Sequence, residues 1–149
     1  MAIGEICIRE VIICNRSTTV LDAAQLMRQH HVGDLVVVDE SMGKRIPVGL
    51  ITDRDIVTSV IAAKLDPAAI SAGDLINREI ITVRQGQGVF ETIEKMRVHG
   101  VRRMPVVDRE GRLVGIVSID DLIELLAEEL SELPKLISKE QAHEAQRKP

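Results

Sequence analysis

Aromatic residues are almost missing from this sequence. Its 149 residues include one Phe, no Tyr and no Trp. The stacking surfaces on which single-stranded nucleic-acid binders rely are therefore absent, and any planar ligand must lie against aliphatic side chains. A clustered positive charge is lacking too, because the formal net charge is −4 and the basic residues are interspersed with acidic ones. Together these absences argue against a nucleic-acid partner.

Long apolar segments are missing as well. No run approaches the roughly 20 residues that a membrane-spanning helix needs. Glu5, Arg9 and Glu10 interrupt the opening segment, which does not fit the apolar stretch of a secretory signal peptide. We therefore expect a cytoplasmic protein without a membrane partner.

Catalytic and metal-binding patterns are also lacking. No Ser-His-Asp or Cys-His combination and no cluster of metal ligands recurs at a usable spacing. The two cysteines, Cys7 and Cys14, are interpreted as free thiols that act as small apolar residues. We therefore expect no enzyme activity, no catalytic cofactor and no metal.

What the sequence does contain is an internal duplication, which has to be settled before a fold is assigned. Residues 3–39 align with residues 72–108 at a constant offset of 69 without a gap, and the offset then falls to 66 because the first hairpin loop is longer. We call residues at matching positions of the two halves equivalent. Two units of about 60 residues would each be marginal alone, so we expect them to share an interface.

Hydrophobic periodicity predicts the same order of elements in both halves. In the first half the predicted elements are strand 10–14, helix 20–31, strands 35–38 and 48–51, and helix 53–64. In the second half the corresponding helices are 89–99 and 120–130, with strands 104–107 and 114–117. Each half is therefore β-α-β-β-α. The fold class is α/β in the broad sense, and α+β in the narrower one, because each half mixes parallel and antiparallel strands. We expect the last helix to reach at most Leu133, because Pro134 follows it.

Each half closes on the same short motif, G-x-x-T/S-x-x-D. It occurs as Gly49, Thr52 and Asp55, and again as Gly115, Ser118 and Asp121. The motif follows a buried strand and opens a helix, where a hydroxyl and free backbone N–H groups can meet a phosphate. We interpret the two glycines as loop residues that let backbone approach closely.

This motif, together with the PVVD strand at 105–108, resembles the cystathionine-β-synthase (CBS) domain. Two such units in tandem resemble the CBS pair, or Bateman module. We assign the first CBS repeat to residues 3–66, the second to 72–130, and the end of the C-terminal helix with a charged tail to 131–149. The resemblance implies two repeats packed about a pseudo-two-fold axis, two clefts between them, and a homodimer formed through helices.

The resemblance also implies a function. Related pairs bind adenine nucleotides, so we expect a non-enzymatic regulatory module that takes AMP, ADP, ATP or an NAD-like molecule as a regulatory ligand and signals to a separate effector protein. Two alternatives stay open. One is a sensor of S-adenosylmethionine, and the other is a dimerisation or protein-interaction module that needs no ligand.

The motif carries the candidate binding residues onto this chain. Asp55 and Asp121 are expected at the ribose hydroxyls, with Thr52 and Ser118 near the phosphate. The aliphatic walls for the base are expected to be Ile12, Ile13 and Leu35 in one repeat, and Ile81, Thr82, Met104 and Pro105 in the other. Arg54 and Arg103 are the phosphate candidates, because arginine can bind a phosphate bidentately.

The two clefts are not expected to be alike. Arg103 of the second repeat is equivalent to Asp34 of the first, and Arg54 of the first is equivalent to Asp120 of the second. In the first repeat Val36 also stands where the family usually has a proline before the central strand.

Each assignment also has a structural alternative. The aspartates suit the first turn of a helix, the hydroxyls suit N-caps, and the arginines suit surface salt bridges. His99 is interpreted as a helix-end residue, because the helix dipole favours a cation there.

Overall fold

Within residues 1–147, six strands carry the duplicated sequence in two sheets. They are β1 (Ile13–Cys14), β2 (Asp34–Ser41), β3 (Lys44–Thr52), β4 (Val83–Arg84), β5 (Arg103–Val107) and β6 (Leu113–Ser118). The sheets have the orders β1-β2-β3 and β4-β5-β6. In each sheet the first two strands run parallel because a helix connects them, and β3 returns antiparallel to β2. The predicted α/β fold with the order β-α-β-β-α is confirmed.

The structure, a computed structural model, describes residues 1–147. Its helices are α1 (Val20–His30), α2 (Asp53–Ile56), α3 (Ala72–Leu75), α4 (Val89–His99) and α5 (Ile119–Arg147), with a 3-10 turn at Ile3–Glu5. The chain forms two compact units, one from Met1–Val117 and one that begins at Ser118. The first unit holds both sheets except Ser118, the last residue of β6, and the described part of the second consists of Ser118 and α5.

Local sequence explains where α1 begins and ends. The Thr19 hydroxyl accepts a hydrogen bond from the backbone N–H of Asp22 at 3.1 Å, which caps the first turn. Val20, Ala23 and Met27 have helical spacing and are buried against the first sheet's core. At the other end His31 adopts a left-handed conformation with φ of 54°. The equivalent position after α4 is Gly100, with φ of 65°, which glycine adopts without strain.

The central strand of each sheet is buried. The run 35–38 in β2 and the run 104–107 in β5 consist almost entirely of residues with little or no exposed surface. Continuous apolar runs of this kind belong to strands that are covered on both faces. The strands predicted at 35–38 and 104–107 are confirmed as parts of β2 and β5.

The helix that follows β3 departs from a regular α-helix. After the four residues of α2, the chain continues as a π-helical turn, Val57–Ile61. The backbone N–H groups of Ala62 and Leu65 donate to the carbonyls of Val57 and Val60, at 2.8 and 3.0 Å. The predicted regular helix over 53–64 is therefore replaced by one α-turn and a wider π-turn, a feature that is often found near functional sites.

The last helix is longer than predicted. The expectation that it ends by Leu133 is wrong, because α5 runs from Ile119 to Arg147 with Pro134 inside it. Proline removes one hydrogen bond from the helix, but strong helix formers such as Lys, Glu, Gln and Ala dominate residues 135–147. The two final residues, 148 and 149, lie outside the described residues. Within residues 1–147 every helix, α5 included, is too short or too polar to span a bilayer.

The two repeats interlock reciprocally within the first unit. Ile3 donates its backbone N–H to the carbonyl of Gln87, and the equivalent Ala72 donates to the equivalent Thr18, both at 2.7 Å. The next residues, Gly4 and Gly73, repeat the exchange, both at 2.9 Å. An interface in which residue and partner exchange roles is the signature of two-fold symmetry. The predicted pseudo-two-fold relation between the repeats is confirmed by these bonds.

Candidate functional site

A cleft of about 530 Å³ opens between the two repeats, inside the first unit. The first repeat contributes four lining residues, which are Gly49, Leu50, Asp55 and Ser59. The second contributes residues 75–81, which precede its sheet, together with His99, Val101, Arg103 and Pro105. The volume lies within the range of roughly 300–1,000 Å³ that is typical of small-molecule sites.

Asp55 reaches the cleft from the start of α2. Its backbone N–H donates to the Thr52 hydroxyl at 3.1 Å, and its Oδ2 accepts the backbone N–H of Thr52 at 2.9 Å. This reciprocal pair is a capping box. It uses one carboxylate oxygen, so the other oxygen of the half-buried side chain still has acceptor capacity. The capping role and a ligand-binding role are therefore compatible in Asp55.

The same box recurs at the start of α5. Ser118 donates its backbone N–H to Oδ2 of Asp121 at 3.0 Å, and Asp121 donates its own to the Ser118 hydroxyl at 3.2 Å. Both residues lie in the second unit. Their predicted roles at ribose and phosphate stay predictions.

A third box, at Ser71 and Asp74, shows that the pattern by itself is structural. Hydrogen bonds from the backbone N–H and the hydroxyl of Ser71 lower the pKa of Asp74. Asp74 does not line the cleft. A hydroxyl and a carboxylate three residues apart thus start a helix in this chain whether or not a cleft lies beside them.

Arg103 supplies a cation on the opposite wall of the cleft. Its Nη1 lies 2.7 Å from Oδ2 of Asp34, and the two residues are equivalent positions of the two repeats. Burial raises the pKa of Asp34, the Arg103 cation opposes that rise, and the nearby Asp53 adds to it. The guanidinium therefore neutralises a half-buried carboxylate of the first repeat while it borders the cleft.

An aliphatic surface lies beside these charges. Ile80, Ile81, Val101 and Pro105 line the cleft from the second repeat. Such a surface can bury the face of a planar ring without aromatic stacking. Met104 is fully buried and does not line the cleft. Thr82 is half-buried, and its backbone carbonyl accepts a hydrogen bond from the Lys95 ammonium.

Several predicted residues lie elsewhere. Thr52 acts as the N-cap of α2 and does not line the cleft. Arg54 is exposed on α2, where Asp53 accepts its backbone N–H at 2.8 Å. The predicted base wall of the first repeat, Ile12, Ile13 and Leu35, lies in and next to β1 and β2, also outside this cleft. The structure thus brings together Asp55, Ile81, Arg103 and Pro105, combining one repeat's carboxylate with the other's aliphatic wall.

Sequence reasoning missed the segment that leads into the second sheet. Asn77 and Arg78 line the cleft, and Arg78 has no hydrogen-bond or ion-pair partner among the described residues. Its equivalent, Arg9, donates to the carbonyl of Gly4 at 2.8 Å. His99, interpreted as a helix-end residue, also borders the cleft, with Nδ1 2.9 Å from the carbonyl of Lys95. The conserved pair within the repeat, Arg9 and Arg78, was the available signal.

The motif glycines do not lie in loops, so that interpretation is wrong. Gly49 lies within β3 and Gly115 within β6. A Cβ on Gly49 would come 2.6 Å from Cδ1 of Ile76, and one on Gly115 would come 2.7 Å from both Sγ of Cys7 and the carbonyl oxygen of Ile8. Each glycine therefore makes room for the segment that opens the other repeat.

The cysteines are free thiols. Burial raises the pKa of Cys14 to about 11, so this thiol stays protonated at neutral pH. In the part of the chain that the structure describes, no three His, Cys, Asp or Glu side chains come together as a metal site would require.

Comparison with known proteins identifies the repeats. The family model for the CBS domain matches residues 3–62 and again residues 72–128. Among curated relatives, uncharacterized protein MK0525 of Methanopyrus kandleri is 35% identical over 125 residues, which cover 84% of this chain and 62% of the relative. The chain therefore spans less than two thirds of that relative's length.

Two solved structures share the fold and contain ligands. The CBS domain protein PAE2072 from Pyrobaculum aerophilum, complexed with AMP, has a TM-score of 0.72 and 30% identity, and the match covers 81% of this chain and 89% of that one. The CBS domain pair of protein MJ0100, in complex with 5-methylthioadenosine and S-adenosyl-L-methionine, has a TM-score of 0.70 and 28% identity. The match covers 87% of this chain and 98% of that one.

Proposed function

The chain belongs to the CBS domain family, and from that premise we propose that it is a regulatory module that binds an adenine nucleotide between its two repeats. The observation that carries the proposal is the composition of the cleft. Asp55, Ile81 and Arg103 line one space of about 530 Å³. A nucleotide has a diol, a planar base and an anionic group, and these three side chains match them in kind.

The base lies against the aliphatic wall formed by Ile80, Ile81 and Pro105. Covering about 100 Å² of a base at roughly 25 cal/mol per Å² contributes about 2.5 kcal/mol. The ribose hydroxyls donate to Asp55, and a hydrogen bond to a charged group contributes about 1.5–3 kcal/mol. Because association itself has a large entropic cost, these contributions give an affinity on the order of micromolar or weaker.

The phosphate end lies toward Arg103 and Arg78. Arg78 is exposed and has no partner among the described residues, so it can turn toward an anion without losing another contact. Arg103 already pairs with Asp34, so a bound phosphate has to share the guanidinium with that carboxylate. This wall has two cations and one acidic side chain, Glu79, and the excess of positive charge favours an anionic ligand such as AMP, ADP, ATP or an NAD-like molecule.

S-adenosylmethionine is the second candidate. It contains the same adenosine, and protein MJ0100 was crystallised with it. Its sulfonium would have to approach Arg78 and Arg103, which carry charge of the same sign. Asp55 and the aliphatic wall serve both ligands, so the cations decide between them.

The module acts without catalysis, in the cytoplasm, by changing the packing of its repeats and passing that change to a separate effector protein. A ligand shifts such an equilibrium only if it binds two packings with different affinities. A ligand in the cleft contacts both repeats, so its affinity depends on how the two repeats pack against each other. Homodimer formation belongs to the same proposal. Val57 and Ile61, each 57% exposed, offer apolar surface for it. A ligand-independent interaction module remains the alternative function.

Thermal unfolding with added AMP tests the proposal. Ligand at ten times its dissociation constant stabilises the folded state by about 1.4 kcal/mol, which raises the melting temperature by about 3–6 °C in a chain of this size. Circular dichroism is the suitable signal because the chain has no Trp or Tyr. S-adenosylmethionine is titrated in parallel, and a larger shift with it would reverse the order of the two ligands.

Asp55→Asn is the diagnostic variant, because asparagine keeps an acceptor for the capping box but loses the charge. We expect AMP affinity to fall roughly ten- to a hundredfold with little loss of stability. Asp74→Asn is the matched control, since Asp74 has the same position in a capping box but does not line the cleft. Absence of any shift with either ligand at millimolar concentration would leave only the interaction module.

A further inference from the structure

The start of α4 leaves an apolar side chain and two backbone donors uncovered, and the ligand-binding proposal does not use them. Phe90, the only Phe, Tyr or Trp of the chain, is 79% exposed. Within residues 1–147 the backbone N–H groups of Phe90 and Glu91 have no hydrogen-bond partner, because the N-cap, Gly88, has no side chain to cap them. We call Phe90 together with these two N–H groups the Phe90 surface. It does not line the cleft.

The equivalent start of α1 is covered by another part of the chain. Leu21, which is equivalent to Phe90, donates its backbone N–H to the carbonyl of Pro67 at 3.0 Å. Val20 donates its own to the carbonyl of Ile70 at 2.8 Å. The segment that joins the two repeats therefore lies across the start of α1. Leu21 is accordingly 42% exposed, against 79% for Phe90.

The covering segment has a defined shape. The carbonyl of Asp66 accepts the backbone N–H of Ala69, and its carboxylate accepts that of Ala68, both at 3.0 Å. Pro67 takes the second position of this turn, where its ring presets the backbone angle. The turn presents the carbonyl of Pro67 to the helix. An Asp-Pro turn followed by small apolar residues is thus the shape that the start of α1 accepts.

The second repeat reproduces this arrangement only in part. Met1 is equivalent to Ile70 at the offset of 69 residues, and Ala2 forms an antiparallel bridge with Gly88. Up to Met1 the two repeats therefore place the chain alike beside the helix. The position that residues 66–69 take in the first repeat is filled by no other segment within residues 1–147, since Phe90 keeps its N–H free.

We propose that the Phe90 surface is a docking site for a loop of a separate protein, and that this loop carries an Asp-Pro turn like that of residues 66–69. The backbone N–H of Phe90 donates to a carbonyl of the turn, and the Phe90 ring packs against apolar side chains of the loop. Aromatic residues are enriched at protein interfaces, where they often carry much of the binding energy. The surface lies outside the cleft, so docking does not require a nucleotide, and the two proposals stand or fall separately.

The surroundings of Phe90 favour such a loop over a lipid surface or a second copy of this chain. Glu91 and Glu94, the exposed charged residues in the first turns of α4, are acidic, whereas membrane-surface helices carry basic residues that anionic headgroups attract. The acyl region of a bilayer also offers no acceptor to the free N–H groups. The Asp-Pro sequence occurs once in the chain, and in every copy that turn already covers its own α1.

The chain's own linker supplies the probe for a first test. Adding Lys-Leu-Asp-Pro-Ala-Ala, the sequence of residues 64–69, directly before Met1 gives the second repeat the same lead-in that the first repeat receives. We expect hydrogen exchange at the Phe90 N–H to slow by about tenfold or more, because docking removes this group from water. The matched control is the extension Lys-Leu-Pro-Asp-Ala-Ala, in which the two turn residues are reversed, and it should leave the exchange rate unchanged.

A free peptide tests docking by a separate molecule. A synthetic peptide with the sequence of residues 64–71 is titrated into the unaltered full chain, and backbone amide signals are followed by NMR. We expect the signals of Phe90 and Glu91 to move and saturate, with a dissociation constant on the order of 1 mM or below, because a short flexible peptide loses much entropy on binding. The Leu21 signal should stay in place, since the chain's own linker already occupies that site.

Two variants separate the docking site from general apolar contact. Phe90→Ser should weaken binding of the peptide by about fivefold or more. Val98→Ser is the matched control, because Val98 is 65% exposed on the same helix but lies about 12 Å further along it, and it should bind the peptide like the unaltered chain. Both side chains are exposed, so the melting curves of the two variants should agree with that of the unaltered chain.

Four results would overturn the proposal. The first is an extended chain whose Phe90 N–H exchanges as fast as before. The second is an amide spectrum that does not change with the free peptide at about 5 mM, because the surface would then accept only a tethered segment. The third is equal binding of the peptide to Phe90→Ser. The fourth is exchange at Phe90 that slows as the unaltered chain alone is concentrated, because a second copy would then be the occupant.

Discussion

The two segments that open the repeats, residues 3–10 and residues 72–79, begin alike and end differently. Their first residues exchange equivalent hydrogen bonds with the opposite repeat. Ile8 then pairs with Ile116 through two backbone hydrogen bonds, each 2.9 Å long. The equivalent positions, Asn77 and Leu50, share no backbone hydrogen bond within residues 1–147, and both line the cleft.

This difference shows how a duplicated chain separates two tasks. The shared beginning of the segments builds the interface that neither half can do without, so both copies keep it. Beyond it, one segment is hydrogen-bonded to β6, whereas its counterpart packs on β3 only through Ile76 and borders the cleft with Asp55 and Arg103. The polar Asn77, in place of the apolar Ile8, marks the position at which the two copies diverge.

The largest effect is expected from filling the space at the motif glycines. A Cβ at Gly115 would lie 2.7 Å from the carbonyl oxygen of Ile8, a backbone atom held by the paired hydrogen bonds. At Gly49 the nearest atom is the flexible end of Ile76. We therefore expect Gly115→Ala to lower the free energy of unfolding by about 2–3 kcal/mol and Gly49→Ala by about 1 kcal/mol.

Urea unfolding of both variants measures this contrast. Gly86→Ala is the control, because nothing lies within 4 Å of a Cβ at that position. The control should be neutral or slightly stabilising. Equal losses at Gly49 and Gly115 would show that the two segments are fastened equally tightly.

A smaller effect is expected from the salt bridge between the repeats. Arg103→Gln leaves Asp34, whose side chain is only 25% exposed, without its cation. An unsatisfied charged group at such a site should cost about 1–2 kcal/mol at neutral pH. Asp34→Asn should cost less and strengthen AMP binding, because it releases Arg103 to the ligand.

The pH dependence of Arg103→Gln sharpens this test. Burial already raises the pKa of Asp34, so this carboxyl favours the folded state below its unfolded-state pKa and loses that contribution as the pH rises through the higher folded-state pKa. The stability lost in Arg103→Gln should therefore be full at neutral pH and shrink as the pH falls toward about 4. A loss that is independent of pH would assign the effect to packing.

The smallest effects are expected from the equivalent arginines, and they should differ in kind. Arg9→Ala removes the hydrogen bond to the carbonyl of Gly4 and should cost about 1 kcal/mol of stability without changing AMP affinity. Arg78→Ala should leave stability unchanged and weaken AMP binding about three- to tenfold. Unfolding and ligand titration of both variants measure the contrast, and a matching pair of phenotypes would contradict the inequivalence of the two segments.

Much of the fold could be predicted from the sequence because both halves repeat the same periodicity. The constant offset of 69 residues fixed the order of elements, and the buried runs at 35–38 and 104–107 identified the central strands. Pro134 was misleading because local propensity on both sides of it outweighs one lost hydrogen bond. The π-turn after α2 has no sequence signal that we recognise.

The candidate site was less predictable, for a physical reason. Motifs identify residues within one repeat, whereas the cleft is formed by the packing of two. The motif assigned Asp55 to the ribose without indicating which base wall it faces, and the structure sets it across from Ile81, Arg103 and Pro105. Arg78 was missed, and His99 was interpreted only as a helix-end residue, for the same reason: sequence position within one repeat does not show what faces the other repeat.

The capping boxes at Asp55 and Asp121 affect how such sequences should be compared across genomes. Selection to keep the start of a helix would preserve these aspartates even in a descendant that had stopped sensing any metabolite. Their persistence therefore records architecture first, and surveys that count sensors from this motif alone would overestimate them. The residues of the wall across the cleft do not cap a helix, so their retention is the better marker of a site that still binds a ligand.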